Sequence, residues 1–199
     1  MTRLGVFATC LSMLALGCGE APEEASTDPL PGEEGSNQVI QTSVLARQDG
    51  TFEVRERHVT RQEQQAQADA RTAHIQRLAE NGGRNVEQAL DALQQVDCSN
   101  SQALWLYSAA NRTGNQLCLI KPIAYDMAWL DLGLVYYPLL SNWGGRVRSL
   151  WAGEDPGSLQ YCTATSCSIL FYVNFSDYQV INSFASSQWI VNWAYLHDP

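Results

Sequence analysis

The large aromatic side chains of this sequence are concentrated in its second half. All six tryptophans and all eight tyrosines lie from Trp105 onward, and the composition changes at Cys98. Tryptophan and tyrosine supply much of the buried area in a small core, and residues 98–199 have the common length of one compact domain. The sequence therefore predicts one main folded domain over 98–199.

Short apolar runs separated by turn residues recur through this domain. The seven runs are Leu104–Tyr107, Leu117–Ile120, Val147–Trp151, Leu159–Cys162, Ile169–Val173, Tyr178–Ile181 and Ile190–Leu196. Close spacing with few helical periods is typical of an all-β sandwich, so the predicted fold class is mainly β. The tract AYDMAWLDLGLVYYPLL, residues 124–140, fits either a helical turn or a long connection between strands.

Residues 1–17 have the pattern of a secretory signal peptide. A positive start at Arg3 precedes an apolar stretch that is too short to span a bilayer. The sequence LALGC, which ends at Cys18, resembles the lipobox of bacterial lipoproteins. That resemblance implies cleavage before Cys18, acylation of its thiol and a lipid anchor in the bacterial cell envelope, and Gly19 implies the outer membrane. The alternative is an ordinary signal peptide with an incidental cysteine.

Residues 18–37 are rich in acidic residues, proline, glycine and serine. Such a segment buries too little apolar surface to offset its chain entropy, so we expect a flexible tether after the lipid-bearing cysteine. The whole chain holds 21 Asp and Glu residues against 12 Lys and Arg residues. This acidic balance, without a basic stripe, argues against nucleic acid as a partner and against electrostatic binding to anionic lipid.

Residues 38–97 predict a hairpin followed by one or two helices. The Asp-Gly dipeptide at 49–50 is suited to the hairpin turn. Thr60 and Glu63 have the spacing of a capping box, and the helix that they start runs to Glu80.

A second short helix is predicted over about Val86–Val96, where apolar residues recur at helical spacing. The apolar stripe of the first helix is thin, so we expect the elements of the segment 38–97 to pack weakly on the C-terminal domain or on each other and to be partly mobile.

The sequence LYSAANRTGNQLCL resembles the opening of a βγ-crystallin Greek-key motif. In that motif an aromatic residue is followed by a glycine that takes positive φ at a folded hairpin, and Tyr107 and Gly114 occupy these positions. Arg112 stands where the family usually has a second aromatic residue, and Ser149 matches the terminal serine of the motif. The resemblance implies a βγ-crystallin-like Greek-key sandwich.

The resemblance covers residues 98–153, and 158–199 would form a degenerate second copy. In calcium-binding members, a corner of the motif carries two Asn or Asp residues and two hydroxyl residues. That corner falls on GGRVRS, residues 144–149, where glycines replace the first pair and Arg148 replaces one hydroxyl. Only the side-chain oxygen of Ser149 remains, so we expect neither calcium nor any other cofactor at this corner.

Four cysteines lie outside the N-terminal segment: Cys98, Cys118, Cys162 and Cys167. Four cysteines allow three pairings. Cys162 and Cys167 flank the sequence TATS, which favours a local disulfide at a hairpin tip and leaves Cys98 with Cys118. Closing that second loop stabilises a fold by about 3 kcal/mol. A zinc site is the competing interpretation, but the chain has no paired short Cys motif and its three histidines are scattered.

No catalytic motif is present in the sequence. Asp126 and Asp131 flank Trp129 and could form the carboxylate pair that sugar hydrolysis needs, but such acids are more often solvated loop positions. We therefore predict that the protein is not an enzyme.

The expected function is a non-catalytic module, held away from the envelope on a tether, that binds a protein or glycan partner at the cell surface or stiffens that surface. The alternative is a proteinaceous peptidase inhibitor, because small secreted bacterial metalloproteinase inhibitors share the βγ-crystallin fold and two disulfides. For the six tryptophans, core packing is the first expectation. Two or more tryptophan rings that are coplanar and exposed would instead favour sugar binding.

Overall fold

The computed structural model describes residues 37–47, 51–80, 97–100, 102–122, 124–138 and 141–198. Its elements in chain order are β1 Gln38–Ala46, β2 Phe52–Thr60, α1 Arg61–Glu80, β3 Leu104–Tyr107, β4 Gln116–Ile120, β5 Met127–Asp131, β6 Tyr136–Tyr137, β7 Ser141–Asn142, β8 Ser149–Trp151, β9 Gly157–Cys162, β10 Cys167–Phe175, β11 Val180–Ile181 and β12 Trp193–His197. The fold class is mainly β, as the sequence predicted.

Two sheets carry the fold. Sheet A has six strands in the spatial order β11, β8, β3, β4, β1 and β2, and sheet B has four strands in the order β10, β9, β12 and β5. Strands β6 and β7 form a small separate hairpin. The inward side chains of both sheets belong to one hydrophobic core, which includes Leu104, Leu106, Leu117 and Leu119 from sheet A and Leu130, Leu159, Val173 and Leu196 from sheet B.

The two sheets exchange a strand. β5 lies in the chain between β4 and β8 of sheet A, yet it pairs with β12 in sheet B. β11 follows β10 of sheet B, yet it pairs with β8 in sheet A. Of the strands β3, β4, β5 and β8, only β5 lies in sheet B, and of β9, β10, β11 and β12, only β11 lies in sheet A. Each group of four strands therefore contributes one strand to the sheet of the other group.

The N-terminal hairpin is an integral part of sheet A. β1 pairs with β2 along the whole strand and also runs parallel to β4, where Gln41–Leu45 pair with Gln116–Ile120. The expectation of weak packing for this segment is therefore wrong for the hairpin, because β1 contributes a ladder and buried side chains to the sheet. The predicted turn at 49–50 lies outside the described residues.

Helix α1 begins at the predicted capping box. The amide of Thr60 donates to Oε2 of Glu63 (2.7 Å), and the amide of Glu63 donates to Oγ1 of Thr60 (3.1 Å). These reciprocal bonds satisfy two amides that the start of a helix leaves without partners. The second predicted helix, Val86–Val96, lies outside the described residues.

The structure contains two disulfides, Cys98–Cys118 and Cys162–Cys167. They are the same two pairs that the sequence favoured. Cys98–Cys118 links the segment before β3 to β4, and Cys162–Cys167 closes the β9–β10 hairpin around an exposed tip, residues 163–166.

The ambiguous tract 124–140 contains a strand that the sequence did not resolve. β5 is followed by a 3-10 turn over Leu132–Leu134 and then by β6. Ala128 and Leu130 point into the core, while Met127 and Trp129 point outward and are exposed. Because the outward residues are also apolar, the strand lacks the alternation of apolar and polar residues that normally reveals one.

Candidate functional site

The outer surface of sheet A is covered by helix α1. The covered side chains include Trp105, Tyr107 and Trp151, together with the Cys98–Cys118 disulfide. Arg71 of α1 is only 3% exposed, and its guanidinium lies 4.3 Å from the ring centroid of Trp105 and 4.9 Å from that of Trp151. Sheet A therefore offers no accessible aromatic surface beneath the helix.

The contact between α1 and sheet A is largely polar. Burial lowers the pKa of Arg71 to about 9, and Nη2 of its guanidinium donates to the carbonyl of Ala103 (2.8 Å). Nε and Nη1 of Arg71 and the indole N–H groups of Trp105 and Trp151 are buried without a hydrogen-bond partner among the described residues. The guanidinium lies over the faces of both rings, a geometry in which a cation is attracted to an aromatic ring.

The outer surface of sheet B is open in the described part of the chain. We call its outward side chains the aromatic face: Met127, Trp129 and Asp131 of β5, Trp193, Tyr195 and His197 of β12, Ser158 and Gln160 of β9, and Tyr172 and Asn174 of β10. Trp129 is 48% exposed and Tyr172 is 47% exposed. Trp129 and Trp193 stack on each other with ring centroids 5.1 Å apart and planes inclined by 30°.

The strand register arranges the aromatic face in two rows that cross all four strands. One row runs through Trp129, Tyr195, Ser158 and Asn174, and the next runs through Asp131, Trp193, Gln160 and Tyr172. Each row therefore combines aromatic rings with amide, hydroxyl or carboxylate groups. Because every member stands on a paired strand, the spacing of these groups is fixed by the sheet.

The aromatic face has little charge. The four strands of sheet B contain neither lysine nor arginine, and Asp131 is their one carboxylate residue. Oδ1 of Asp131 accepts a hydrogen bond from the amide of Gly133 (2.8 Å), which starts the 3-10 turn after β5. Nε2 of Gln160 donates to Oγ of Ser158 (2.7 Å). The face thus presents rings and hydrogen-bonding groups without a cation.

A groove of about 350 Å³ adjoins the aromatic face along β5. Its lining comprises Ala46, Arg47, Thr51 and the segment 124–129. Trp129 therefore belongs both to the groove and to the stacked pair with Trp193. Arg47, on the opposite wall, is paired with Glu53 (2.8 Å).

No family model, curated protein or solved structure matches this chain. Within the described residues, no group of three or more His, Cys, Asp and Glu side chains is placed to hold a metal ion. No helix of the described part is long and apolar enough to cross a membrane.

The corner at 144–149 is occupied by its own arginines. Nη1 of Arg148 donates to the carbonyls of Gly145 (2.9 Å) and Val147 (3.1 Å), and Nη2 of Arg146 donates to Oγ of Ser141 (2.6 Å). Gly145 has a φ of 72°, which favours glycine at this turn. Two backbone carbonyl oxygens of this corner therefore accept hydrogen bonds from a guanidinium.

Tyr107, Gly114 and Ser149 together hold the hairpin that connects β3 to β4. Gly114 has a φ of 78°, and a Cβ there would meet the side chain of Ser108. Oγ of Ser149 donates to the carbonyl of Ala109 (2.7 Å) and accepts from the amide of Arg112 (3.0 Å). Tyr107 is buried, and that burial raises the pKa of its phenol. These residues position the hairpin and do not line the aromatic face.

Asp126 and Asp131 do not form a carboxylate pair. Asp126 directly precedes β5 and Asp131 ends it. The strand between them separates its own end residues by roughly 13 Å at about 3.3 Å per residue. The paired carboxyl groups of glycosidases lie about 5 to 9.5 Å apart.

Cys18, the predicted acylation site, lies outside the described residues.

Sequence reasoning missed the remaining members of the aromatic face, above all Trp193, Tyr195 and Tyr172. In β12, the sequence WAYLH places Ala194 and Leu196 in the core and the aromatic residues outside. A strand with aromatic residues at alternate positions and small or aliphatic residues between them was the available signal. It was obscured because both sets count as apolar.

Proposed function

We propose that this chain is a non-catalytic binding module of a bacterial cell envelope, anchored by acyl chains on Cys18, and that its aromatic face binds a partner at the cell surface. One observation carries the proposal. Sheet B exposes a rigid array of aromatic rings, whereas the corresponding surface of sheet A is covered by the protein's own helix. Exposed aromatic groups arranged on one face mark a site of interaction.

The strand order supports a βγ-crystallin-like Greek-key domain. In a Greek key the fourth strand returns to lie beside the first. β8 lies beside β3, and β12 lies beside β9, in each case with the second strand on the other side of the first. Where the family usually has an aromatic residue, the guanidinium of Arg112 lies 5.0 Å from the ring centroid of Trp151.

The separation of Asp126 from Asp131 supports a module without hydrolytic activity. Asp131 is the one carboxylate residue in the strands of sheet B, and its Oδ1 already caps the turn at Gly133. A binding role uses the same rings without requiring a general acid and a nucleophile.

The anchor is tested by labelling growing cells with palmitate. Wild-type chain should incorporate label and fractionate with membranes, and Cys18→Ala should do neither. A chain that stays unlabelled while exported would refute the lipid anchor.

The binding role is tested by co-sedimentation of the full chain, purified in a polyoxyethylene detergent, with envelope fragments. Wild type and Tyr136→Ala should sediment, because Tyr136 is as exposed as Trp129 (48%) but lies on β6, outside sheet B. Trp129→Ala and Trp193→Ala should lose most of this binding. Equal sedimentation of all four proteins, or none, would contradict the proposal.

A second candidate function is peptidase inhibition, favoured by the disulfide at the β9–β10 tip. Cys162–Cys167 constrains an exposed four-residue turn, and the amide of Thr163 donates to the carbonyl of Ser166 (2.8 Å). A constrained loop loses little entropy when it enters an active-site cleft. Micromolar or tighter inhibition of a metalloprotease panel that Thr165→Pro weakens and Trp129→Ala leaves intact would support this function, whereas indifference at high concentration would exclude it.

A further inference from the structure

We propose that the ligand of the aromatic face is a neutral polysaccharide, lying across sheet B and entering the groove beside β5; this inference rests on the proposed binding function. Trp129 and Tyr172 are about half exposed, and hydrogen-bonding side chains lie between the rings. The strands of sheet B carry neither lysine nor arginine, and a groove continues from Trp129.

The rings provide stacking surfaces. Trp129 contacts Trp193 through one ring face, and its remaining exposed surface borders the groove. The face of an aromatic ring carries the negative part of its quadrupole. The C–H groups on one side of a sugar ring carry partial positive charge, so a pyranose ring packs favourably there while its hydroxyls point outward to the sides.

Polar side chains alternate with the aromatic rings in the two rows of the aromatic face. Gln160 lies beside Trp193 in one row, and Asn174 ends the row of Trp129 and Tyr195. Ser158, between Tyr195 and Asn174, is only 7% exposed and supports Gln160 by accepting its hydrogen bond. Amide and hydroxyl groups both donate and accept hydrogen bonds. Sugar hydroxyls do the same, so an interleaved arrangement of rings and amides suits a glycan better than an unbroken apolar patch would.

The charge of the aromatic face and its groove favours an uncharged polysaccharide over an anionic one. Sheet B contributes the carboxylate of Asp131 and no lysine or arginine, and Asp126 lines the groove. Arg47, the one cation lining the groove, is engaged by Glu53. An anionic polymer would therefore meet net repulsion, and a neutral one would not.

The aromatic face is long enough to contact several consecutive sugars of a polysaccharide and not only one. From β5 to β10 there are three inter-strand spacings of about 4.8 Å, which gives roughly 14 Å across the sheet. The groove extends the surface past β5. Several consecutive sugar rings could contact the face together, which favours an internal segment of a polymer.

The direct test is affinity electrophoresis of the full chain in polyoxyethylene detergent, through gels that contain soluble starch, mixed-linkage β-glucan or galactomannan, with polygalacturonate as the anionic control. At least one neutral polymer should retard the wild type, and polygalacturonate should not. Trp129→Ala should weaken the retarding interaction at least tenfold, since truncation of a tryptophan that anchors a binding surface commonly has effects of that size. Tyr136→Ala should stay within twofold.

Near-identical unfolding midpoints of Trp129→Ala and wild type establish that the loss concerns binding and not folding. No retardation by any of the neutral polymers, or equal retardation of Trp129→Ala and wild type, would overturn the inference. Retardation by polygalacturonate alone would overturn the charge argument.

Treated envelope fragments separate this inference from the proposed function. Periodate should abolish sedimentation of the wild type, and protease treatment should leave it intact. The reverse result would refute the glycan while preserving the binding function, and would identify a protein partner. Absence of sedimentation with untreated fragments would refute the binding function itself.

A lipid surface is the other occupant to exclude. The full chain in vesicles that contain brominated phosphatidylcholine should show the same tryptophan fluorescence as in plain vesicles. Quenching that Trp129→Ala removes would place the aromatic face on the bilayer and overturn the glycan assignment.

Discussion

Sheets A and B each place a pair of tryptophans on the outer surface, and the two pairs have opposite environments. Trp105 and Trp151 meet edge to face with centroids 5.6 Å apart, buried beneath α1 and Arg71. Trp129 and Trp193 stack with centroids 5.1 Å apart, and Trp129 remains half exposed.

The difference shows that the sandwich itself does not decide which aromatic residues are core. Sheet A buries its outer rings only because α1 lies on them, and the helix is held by a buried guanidinium and glutamines instead of an apolar stripe. Sheet B has no such cover among the described residues. Residues of one type therefore serve stability on one face and are available for binding on the other.

Alanine substitution of one tryptophan on each face gives the largest expected contrast. Trp105→Ala should lower the free energy of unfolding by about 3–5 kcal/mol, because it empties a fully packed position. Trp129→Ala should change it by less than about 1 kcal/mol, since the ring is half exposed. Urea unfolding measures both. Comparable losses would break the distinction between a structural face and a binding face.

The two disulfides offer a second contrast. Cys98→Ala with Cys118→Ala should cost about 3 kcal/mol, and Cys162→Ala with Cys167→Ala about 2 kcal/mol, because the first bridge closes the longer loop. The first bridge also lies under α1, so its loss should increase hydrogen exchange in the helix. An unchanged exchange rate there would show that α1 docks independently of the bridge.

Substitutions of Arg71 test which interactions hold α1 on sheet A. Arg71→Ala should lower stability by about 3 kcal/mol, because it removes the packing and the cation–ring contacts. Arg71→Met keeps the length of the side chain and removes a buried charge with unpaired N–H groups, so it should lie within about 1 kcal/mol of wild type. Thermal unfolding distinguishes the two. A methionine variant as unstable as alanine would mean that the charge itself holds the helix.

Substitution of Asp155, which lies between β8 and β9, provides the smallest expected effect. Its carboxylate lies 3.3 Å from Nζ of Lys121, which also contacts Asp198 (2.6 Å). Burial raises the pKa of Asp155 from 3.8 to about 6 and outweighs the opposing influence of Lys121. Because the folded pKa is above the unfolded one, the stabilising contribution is complete below about pH 4 and is lost as the pH rises through about 6.

Asp155→Asn should therefore gain about 2 kcal/mol relative to wild type between pH 4 and pH 7. Urea unfolding at the two pH values measures the change. The gain should leave polysaccharide retardation unaltered. A stability difference that does not vary with pH would contradict the role of burial at Asp155.

Local chemistry in the sequence accounts for the elements whose signals are complete within a few residues. The capping box at Thr60 and Glu63 located the start of α1, and Leu104–Tyr107 was predicted with the observed bounds. β5 was not resolved because its outward residues Met127 and Trp129 are as apolar as its inward ones. The apolar outward side chains that obscured the strand in the sequence are the same side chains that make its surface a candidate site.

The sequence by itself determined the mainly β class, the start of the helix and the concentration of aromatic rings in one domain, since each depends on composition or on contacts between near neighbours. Only the tertiary structure decided which rings are exposed. That outcome depends on the exchange of β5 and β11 between the sheets and on where α1 lies. Such contacts join residues far apart in the chain, and the apolar character of a tryptophan is the same whether a helix covers it or not.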